Sequence, residues 1–288
     1  MPDLNRGKEF LKKLKRIKQD LPYSPSLLQD LFCMTGENAA SSLERIGQTI
    51  HRDQGLAAKV LSLANSAFYG IQAKVSSVPR AISLLGIKEV RNLILILGAQ
   101  ALTDKHPLPP TFDLKAYWEH QLATGVCAKM LAERVHMPNP DILFTAGLLH
   151  DFGLLLTALH QPEDWAAINA AVAQQRMLFE EAEMQHWSID HGLIGGLTLQ
   201  SWNLPPELTL PVIWHHAPHA APEFGREASL VCLADGIDHR RRAPDDYALS
   251  AAAQATLDSS GFKEKEILTE LAWVLEDESL AQFVAHLT

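Results

Sequence analysis

Ile142-Leu143-Phe144-Thr145-Ala146-Gly147-Leu148-Leu149-His150-Asp151-Phe152-Gly153-Leu154-Leu155-Leu156-Thr157-Ala158-Leu159 is the longest apolar run of the chain, and an ionisable pair sits in its middle. The run is about long enough to span a bilayer. A lipid-exposed His-Asp pair at the bilayer centre is costly, and two glycines interrupt the run, so it reads as buried helix, over about 141–159. A buried carboxylate must be paired or bind a cation. Neighbouring helical residues point about 100° apart, so His150 and Asp151 do not grip one ion as an i,i+4 pair does. They can serve adjacent points of a cluster, with the carboxylate bridging two ions. A core His–Asp hydrogen bond to nearby backbone is the alternative on this dipeptide alone.

Outward from this run the chain reads as helix in both directions. Phe10, Leu14, Ile17 and Leu21 form one apolar stripe of a helix whose other face is basic, and that face reads as solvated. Leu21-Pro22-Tyr23-Ser24-Pro25 stops it, and Ser24 can cap a second helix carrying Leu27, Leu28, Leu31 and Phe32. Ser41 or Ser42 can start a third, with Leu43, Ile46 and Ile50 inside. Further helices are expected at 56–65, at 78–85 closed by Gly86, and at 87–102. The pair around Gly86 resembles a helix-turn-helix, but Val90-Arg91-Asn92-Leu93-Ile94-Leu95-Ile96-Leu97 is too apolar to face a DNA groove and reads as core. Lys105-His106-Pro107-Leu108-Pro109-Pro110 cannot continue a helix. It divides the chain into expected halves of 1–106 and 107–288. The second half carries expected helices at 114–135, 163–174, 178–186, 192–202, 206–215, 227–239 and from 263. No strand-like alternation of useful length appears, so the fold class is all-α.

Composition narrows the function. The 288 residues carry 25 Lys+Arg against 34 Asp+Glu, a formal charge of −9, which argues against a generic nucleic-acid binder. Cys33, Cys127 and Cys232 are widely separated, with no CxxC spacing, and fit neither a disulfide framework nor a zinc ribbon. The N-terminus is charged and lacks a signal-peptide apolar stretch. A cytoplasmic protein is expected, with no membrane segment and no fused second output domain; the partner would then be encoded elsewhere.

Thirteen histidines is a high count. His51, His106, His136, His219, His239 and His286 sit in polar or loop-like contexts and need no special role. His120, His150, His191, His215 and His216 read differently, because they fall on apolar helices. His215-His216 follows Leu210-Pro211-Val212-Ile213-Trp214, as metal ligands or as a protonated pair favoured by the helix dipole. Asp235 follows Val231-Cys232-Leu233-Ala234, His120 follows Tyr117-Trp118-Glu119, and His191 opens Gly192-Leu193-Ile194-Gly195. A shared interior metal site is the economical explanation for histidines and acids on five apolar helices. Imidazole and carboxylate ligands suit a pair of divalent ions, iron or manganese before zinc.

The order His120, His150-Asp151, His191, His215-His216, Asp235 resembles the HD superfamily of metal-dependent phosphohydrolases. The first half is more specific. Ile50-His51-Arg52-Asp53-Gln54-Gly55-Leu56, Val60-Leu61-Ser62-Leu63-Ala64-Asn65-Ser66-Ala67-Phe68-Tyr69 and Ser77-Val78-Pro79-Arg80-Ala81-Ile82-Ser83-Leu84-Leu85-Gly86 resemble the signature of the HDOD domain, an HD-related output domain of bacterial signalling proteins. Leu21-Pro22-Tyr23-Ser24-Pro25 and Trp202-Asn203-Leu204-Pro205-Pro206 are similar to its start and its later portion. The resemblance spans roughly residues 20 to 240. It implies two helical subdomains, the second an HD-like bundle. It also implies a regulatory role through contact with a signalling protein, in a family without demonstrated catalysis. His120, His150, Asp151, His191, His215, His216 and Asp235 are the implied ligands. The alternative is an active metal-dependent phosphohydrolase or phosphodiesterase. Against it, the related HD-GYP cyclic-dinucleotide phosphodiesterases read His-Asp-Ile-Gly-Lys where this chain has His150-Asp151-Phe152-Gly153-Leu154, and their Gly-Tyr-Pro segment is replaced by His216-Ala217-Pro218-His219-Ala220-Ala221-Pro222. Lys129 and Arg134 are too far along the helix from His120 to substitute for the missing lysine.

Overall fold

The computed structural model describes residues 4–17, 46–48, 50, 54–65, 75–103, 106–245, 247–276, 281, 284–285 and 287. The cap at Ser24, the helix of Leu27 to Phe32, the starts at Ser41 and Ser42, and His51 to Asp53 of the Ile50-to-Leu56 motif lie outside them. Among the described residues there is no strand. The helices are α1 (Leu4–Ile17), α2 (Gln54–Ala64), α3 (Val78–Leu85), α4 (Ile87–Thr103), α5 (Leu114–Arg134), α6 (Pro140–Leu149), α7 (Phe152–His160), α8 (Pro162–Gln175), α9 (Phe179–Trp187), α10 (His191–Ser201), α11 (Pro206–Trp214), α12 (Gly225–Arg242), α13 (Ala251–Ser260) and α14 (Glu264–Leu275). Helix α13 had no counterpart in the sequence reading.

The chain gathers into two compact units. One comprises Met1–Arg16, Leu108–Ser201 and Pro205–Leu275; the other comprises Ile17–Pro107, Trp202–Leu204 and Glu276–Thr288. The main break follows Pro107, in the proline-rich segment. Helix α1, expected in the N-terminal half, lies with the first unit, where Phe10 stacks on Trp187 at 5.5 Å and Arg6 Nε lies 2.7 Å from Asp164 Oδ1. Its Lys8, Lys12 and Lys13 are exposed.

In the second unit, Ser77 supplies an extended residue before α3, a proline occupies its first turn, and Gly86 ends it at φ 83° with its N–H on Ile82 O. The positive φ is easy only for glycine. Val90 and Leu93 to Leu97 of α4 are all buried, as core packing requires. Asn65 exchanges two hydrogen bonds with the Val75 backbone, at 2.9 and 2.7 Å.

In the first unit, Asp113 caps α5 by accepting from the Ala116 N–H at 2.9 Å. The run 142–159, expected as one helix, is two. His150 Nδ1 sits 2.7 Å from Gly147 O, so the ring competes for a carbonyl of the last turn of α6. Asp151 turns out of helical geometry at φ −95°, ψ 16° and precedes α7. This break frees two adjacent side chains from the 100° fan of a continuous helix. The span Pro140–His160 has the length and apolarity of a membrane crossing, yet 89% of its most apolar window is buried. Cys127 and Cys232 are free and buried.

Two close approaches hold the ligand-bearing helices together. A Cβ on Gly147 would lie 2.8 Å from Thr124 O and 2.9 Å from Gly125 Cα, so α5 and α6 touch backbone to backbone. A Cβ on Gly153 would lie 2.0 Å from His191 O, fixing α7 against the start of α10. Gly153→Ala must therefore push His191 away. Overpacking of this kind costs about 3 kcal/mol, so the thermal midpoint should fall by roughly 6–12 °C; an unchanged midpoint would contradict the packing.

Candidate metal centre

All seven residues singled out from the sequence face one buried centre in the first unit. His120 comes from α5, His150 and Asp151 from the α6–α7 break, His191 from the first residue of α10, His215 and His216 from the end of α11, and Asp235 from α12. His120 Nε2 is 3.2 Å from Asp235 Oδ1 and 3.4 Å from Asp151 Oδ2. His150 Nε2 is 3.3 Å from Asp151 Oδ1, and His191 Nε2 is 3.0 Å from the same oxygen. His191 and His216 bring their Nε2 atoms to 2.7 Å, and the His215 and His216 rings lie 3.8 Å apart.

The outer ring nitrogens are fixed one by one. His120 Nδ1 meets Asp238 Oδ2 at 2.8 Å, and His191 Nδ1 meets Glu183 Oε2 at 2.7 Å. His150 and His215 place Nδ1 2.7 Å from the carbonyls of Gly147 and Val212. Carbonyls and carboxylates accept hydrogen bonds, so each Nδ1 donates and each neutral ring turns an Nε2 lone pair inward. His120 Nε2, His150 Nε2, His215 Nε2 and Asp235 Oδ1 are buried and make no aligned hydrogen bond. Buried atoms that have ion-pair contacts at best are costly unless a cation completes their coordination.

Three overlapping triads hold their ligand atoms within 4.8 Å of one another: His191, His215 and His216; His120, His150 and Asp235; His150, Asp151 and His215. Ligand bonds of about 2.0–2.2 Å fit inside that span. The residues present therefore fit a divalent pair.

Burial and charge oppose each other at His120, His150, His191, Asp151 and Asp235, and act together at His215 and His216. Burial disfavours imidazolium at His120, but Asp151, Asp235 and Asp238 outweigh it and raise the pKa well above the usual range. At His150 burial is again outweighed, chiefly by Asp151, and the pKa rises to about 9. His191 is raised against burial by Glu183 and Asp151. Burial, reinforced by His150 and His191, lowers His215 to about 4, and burial with His215 lowers His216. Burial works against ionised Asp151 and Asp235, yet the surrounding imidazoles hold both well below the carboxylate range.

The sequence reading missed four participants. Asp238, His239 and Arg242 follow Asp235 at three, four and seven residues on α12, one face of a helix, and that spacing was the available signal. His239 Nε2, assigned no special role from sequence, lies 3.3 Å from Asp235 Oδ1. Glu183 carried no such signal, because the chain reverses between it and His191. Its Oε2 also accepts from the His191 N–H at 2.9 Å. Outer-shell partners of this kind typically contribute 10–100-fold in metal affinity. Asp238→Asn and Glu183→Gln should each weaken metal binding by about that factor, read by competition with a chromophoric chelator; native affinity in both would contradict the assignment.

A cavity of about 430 Å³ opens on the centre, bounded by His120, Asp151, His191, His216 and Asp235 on one side. Leu154, Tyr117, Trp165, Phe179 and Arg242 line other parts of its wall. Leu154 is thus in the apolar position that the sequence comparison with the phosphodiesterase motif suggested.

The HDOD domain model matches residues 21–218. An uncharacterized protein of Treponema pallidum (strain Nichols) is 27% identical over 221 residues, which cover 75% of this chain and 42% of that protein. The chain thus spans well under half the length of that relative, and 28% of a Bacillus subtilis one matched over a shorter stretch. A crystal structure from Shewanella amazonensis SB2B, provisionally named a phosphohydrolase, aligns with a TM-score of 0.73 and 26% identity, covering 97% of this chain and 98% of that one. A Marinobacter aquaeolei VT8 protein, provisionally named a signal transduction protein, aligns with a TM-score of 0.77 and 22% identity over 97% of this chain and 65% of that one, a likeness of fold. With the model covering most of the sequence and the helical fold shared end to end, the chain belongs to the HDOD domain family.

Proposed function

We propose that this chain is a regulatory HDOD protein whose centre holds a pair of divalent ions and, against them, a phosphate-bearing small molecule, and that it signals occupancy to a partner protein by contact. His120, His150, Asp151 and Asp235 would hold one ion, and His191, His215 and His216, with Asp151 between the sets, the other. The observation that carries the reading is the set of buried, inward-facing atoms without an aligned hydrogen bond: His120 Nε2, His150 Nε2, His215 Nε2 and Asp235 Oδ1. Charge points the same way. Two divalent ions bring four positive charges against the two carboxylates of Asp151 and Asp235, leaving an excess that an anion offsets in a low-dielectric site.

A second reading, phosphohydrolase, is favoured by the cavity opening on the centre and by the name of the Shewanella protein. Bound ions would supply Lewis-acid charge and an activated water. The chain's own contribution differs between readings. Leu154 presents an apolar wall where a non-bridging phosphate oxygen needs a cation, which favours retention of the ligand over turnover. The test is a turnover assay on iron- or manganese-loaded protein with cyclic dinucleotides and simple phosphate esters. The regulatory reading expects negligible hydrolysis; turnover near 1 s⁻¹, the low end of ordinary enzymes, would establish the second reading instead.

A further inference from the structure

We propose that Arg242 is the anion anchor of this cavity and that its occupant is a phosphate ester carried on a single planar aromatic group. This rests on the metal-centred reading above and adds the class of ligand. Arg242 ends α12, and its Nε donates to Asp238 Oδ2 at 2.6 Å. The same oxygen accepts from His120 Nδ1 at 2.8 Å. The guanidinium is therefore one carboxylate oxygen away from a ligand ring of the centre, and it also lines the cavity. Asp238 takes Nε, and the two Nη groups keep their donors for an anion. The sequence motif lacks a phosphate-binding cation after His150-Asp151; the fold brings one in from α12, 92 positions after His150 in the numbering.

Acids share the wall, notably Glu180 and Asp113, so an anion enters only where ions already occupy the centre and Arg242 faces it. Aromatic rings share the rest of the lining with small and aliphatic residues such as Ala116, Leu154 and Leu178. Phe112, Tyr117, Trp165 and Phe179 form a connected group: Phe112 lies 5.4 Å from Tyr117 and 5.1 Å from Trp165, and Trp165 lies 5.2 Å from Phe179. Trp165 is oriented by donating Nε1–H to Thr111 Oγ1 at 3.0 Å. Phe112 and Phe179 are only partly buried, leaving ring surface toward the cavity. A volume of about 430 Å³ is at the small end of ligand sites. It suits one ring system with its phosphate better than a cyclic dinucleotide with two.

Arg241 provides an internal control. It holds the other oxygen of the same carboxylate, Asp238 Oδ1, at 2.7 Å, but does not line the cavity. The experiment is calorimetric titration of metal-loaded full chain with phenylphosphonate and methylphosphonate, which cannot be hydrolysed, with metal content measured on every sample. Native protein should bind phenylphosphonate at least ~10-fold more tightly than methylphosphonate, on the scale of one aromatic contact. Arg242→Gln should lose at least ~10-fold for both probes, as for one charged hydrogen bond, with Arg242→Lys recovering part of it. Phe179→Ala should remove only the advantage of the ring. Arg241→Gln should bind both as the native protein does. Equal affinity for the two probes in native protein, or undiminished binding in Arg242→Gln, would overturn the proposal. Metal lost from Arg242→Gln would also overturn it, because the arginine would then act through Asp238. A native chain that takes up no metal fails differently: it removes the centre itself.

Discussion

Asp151→Asn should empty the centre of both ions. Among the described residues, Asp151 is the acid that reaches both groups of histidines: Oδ2 lies 3.4 Å from His120 Nε2, while Oδ1 lies 3.3 Å from His150 Nε2 and 3.0 Å from His191 Nε2. Gln121 Nε2 donates to Oδ2 at 3.3 Å and keeps the carboxylate turned inward. The asparagine preserves shape and removes the charge. Deleting one partner of a buried, paired charge typically costs ~3–5 kcal/mol, a factor of roughly 10²–10³ or more in affinity. Metal retained after desalting should fall from two ions per chain to none. His216→Ala touches one set only and should retain at least one ion. Two ions retained in Asp151→Asn would show that the carboxylate does not bridge.

Much of this centre was legible in the sequence because burial makes ionisable residues conspicuous. His150-Asp151 stood out against the sixteen other residues of the run 142–159, all apolar or small, and His215-His216 against the apolar end of α11. The helical class followed from periodicity, and Gly86 marked the end of α3 where expected. What escaped depended on three-dimensional proximity. The break at His150 arises from a side chain taking its own helix's carbonyl, which no apolar pattern encodes. Glu183 meets His191 only because the chain turns back after Trp187, through Ser188 in a left-handed conformation at φ 61°. Arg242 stands in the run Arg240-Arg241-Arg242 at the end of α12, the ordinary complement to the helix dipole, and nothing in that run singles it out. Its place on the cavity wall follows from its register with Asp235 and Asp238.

Leu154→Lys should raise phosphodiester turnover by about 10²–10³ if the ions are in place. One lost stabilising contact to a transition state typically costs ~3–4 kcal/mol, and Leu154 lies on the cavity wall one turn beyond Asp151. Arg242 does not remove the need for this contact. An anchor that binds the ground state and the transition state equally tightens binding without raising the maximal rate. The comparison is made on metal-loaded native and variant protein, with a simple ester that fits the cavity as well as a cyclic dinucleotide. A gain in turnover for the simple ester shows a competent centre lacking one cation. No gain, with metal present, contradicts the assignment of Leu154 as the obstacle.

The most direct test of the account is elemental analysis of the full chain, expressed in medium supplemented with iron and manganese and purified without chelators. The inward-facing Nε2 atoms of His120, His150 and His215 and the Oδ1 of Asp235, together with the position of Asp151 between the two sets of histidines, predict two divalent ions per chain. A protein that carries none, and takes up none when stripped and titrated with iron(II), manganese(II) or zinc(II), would contradict it.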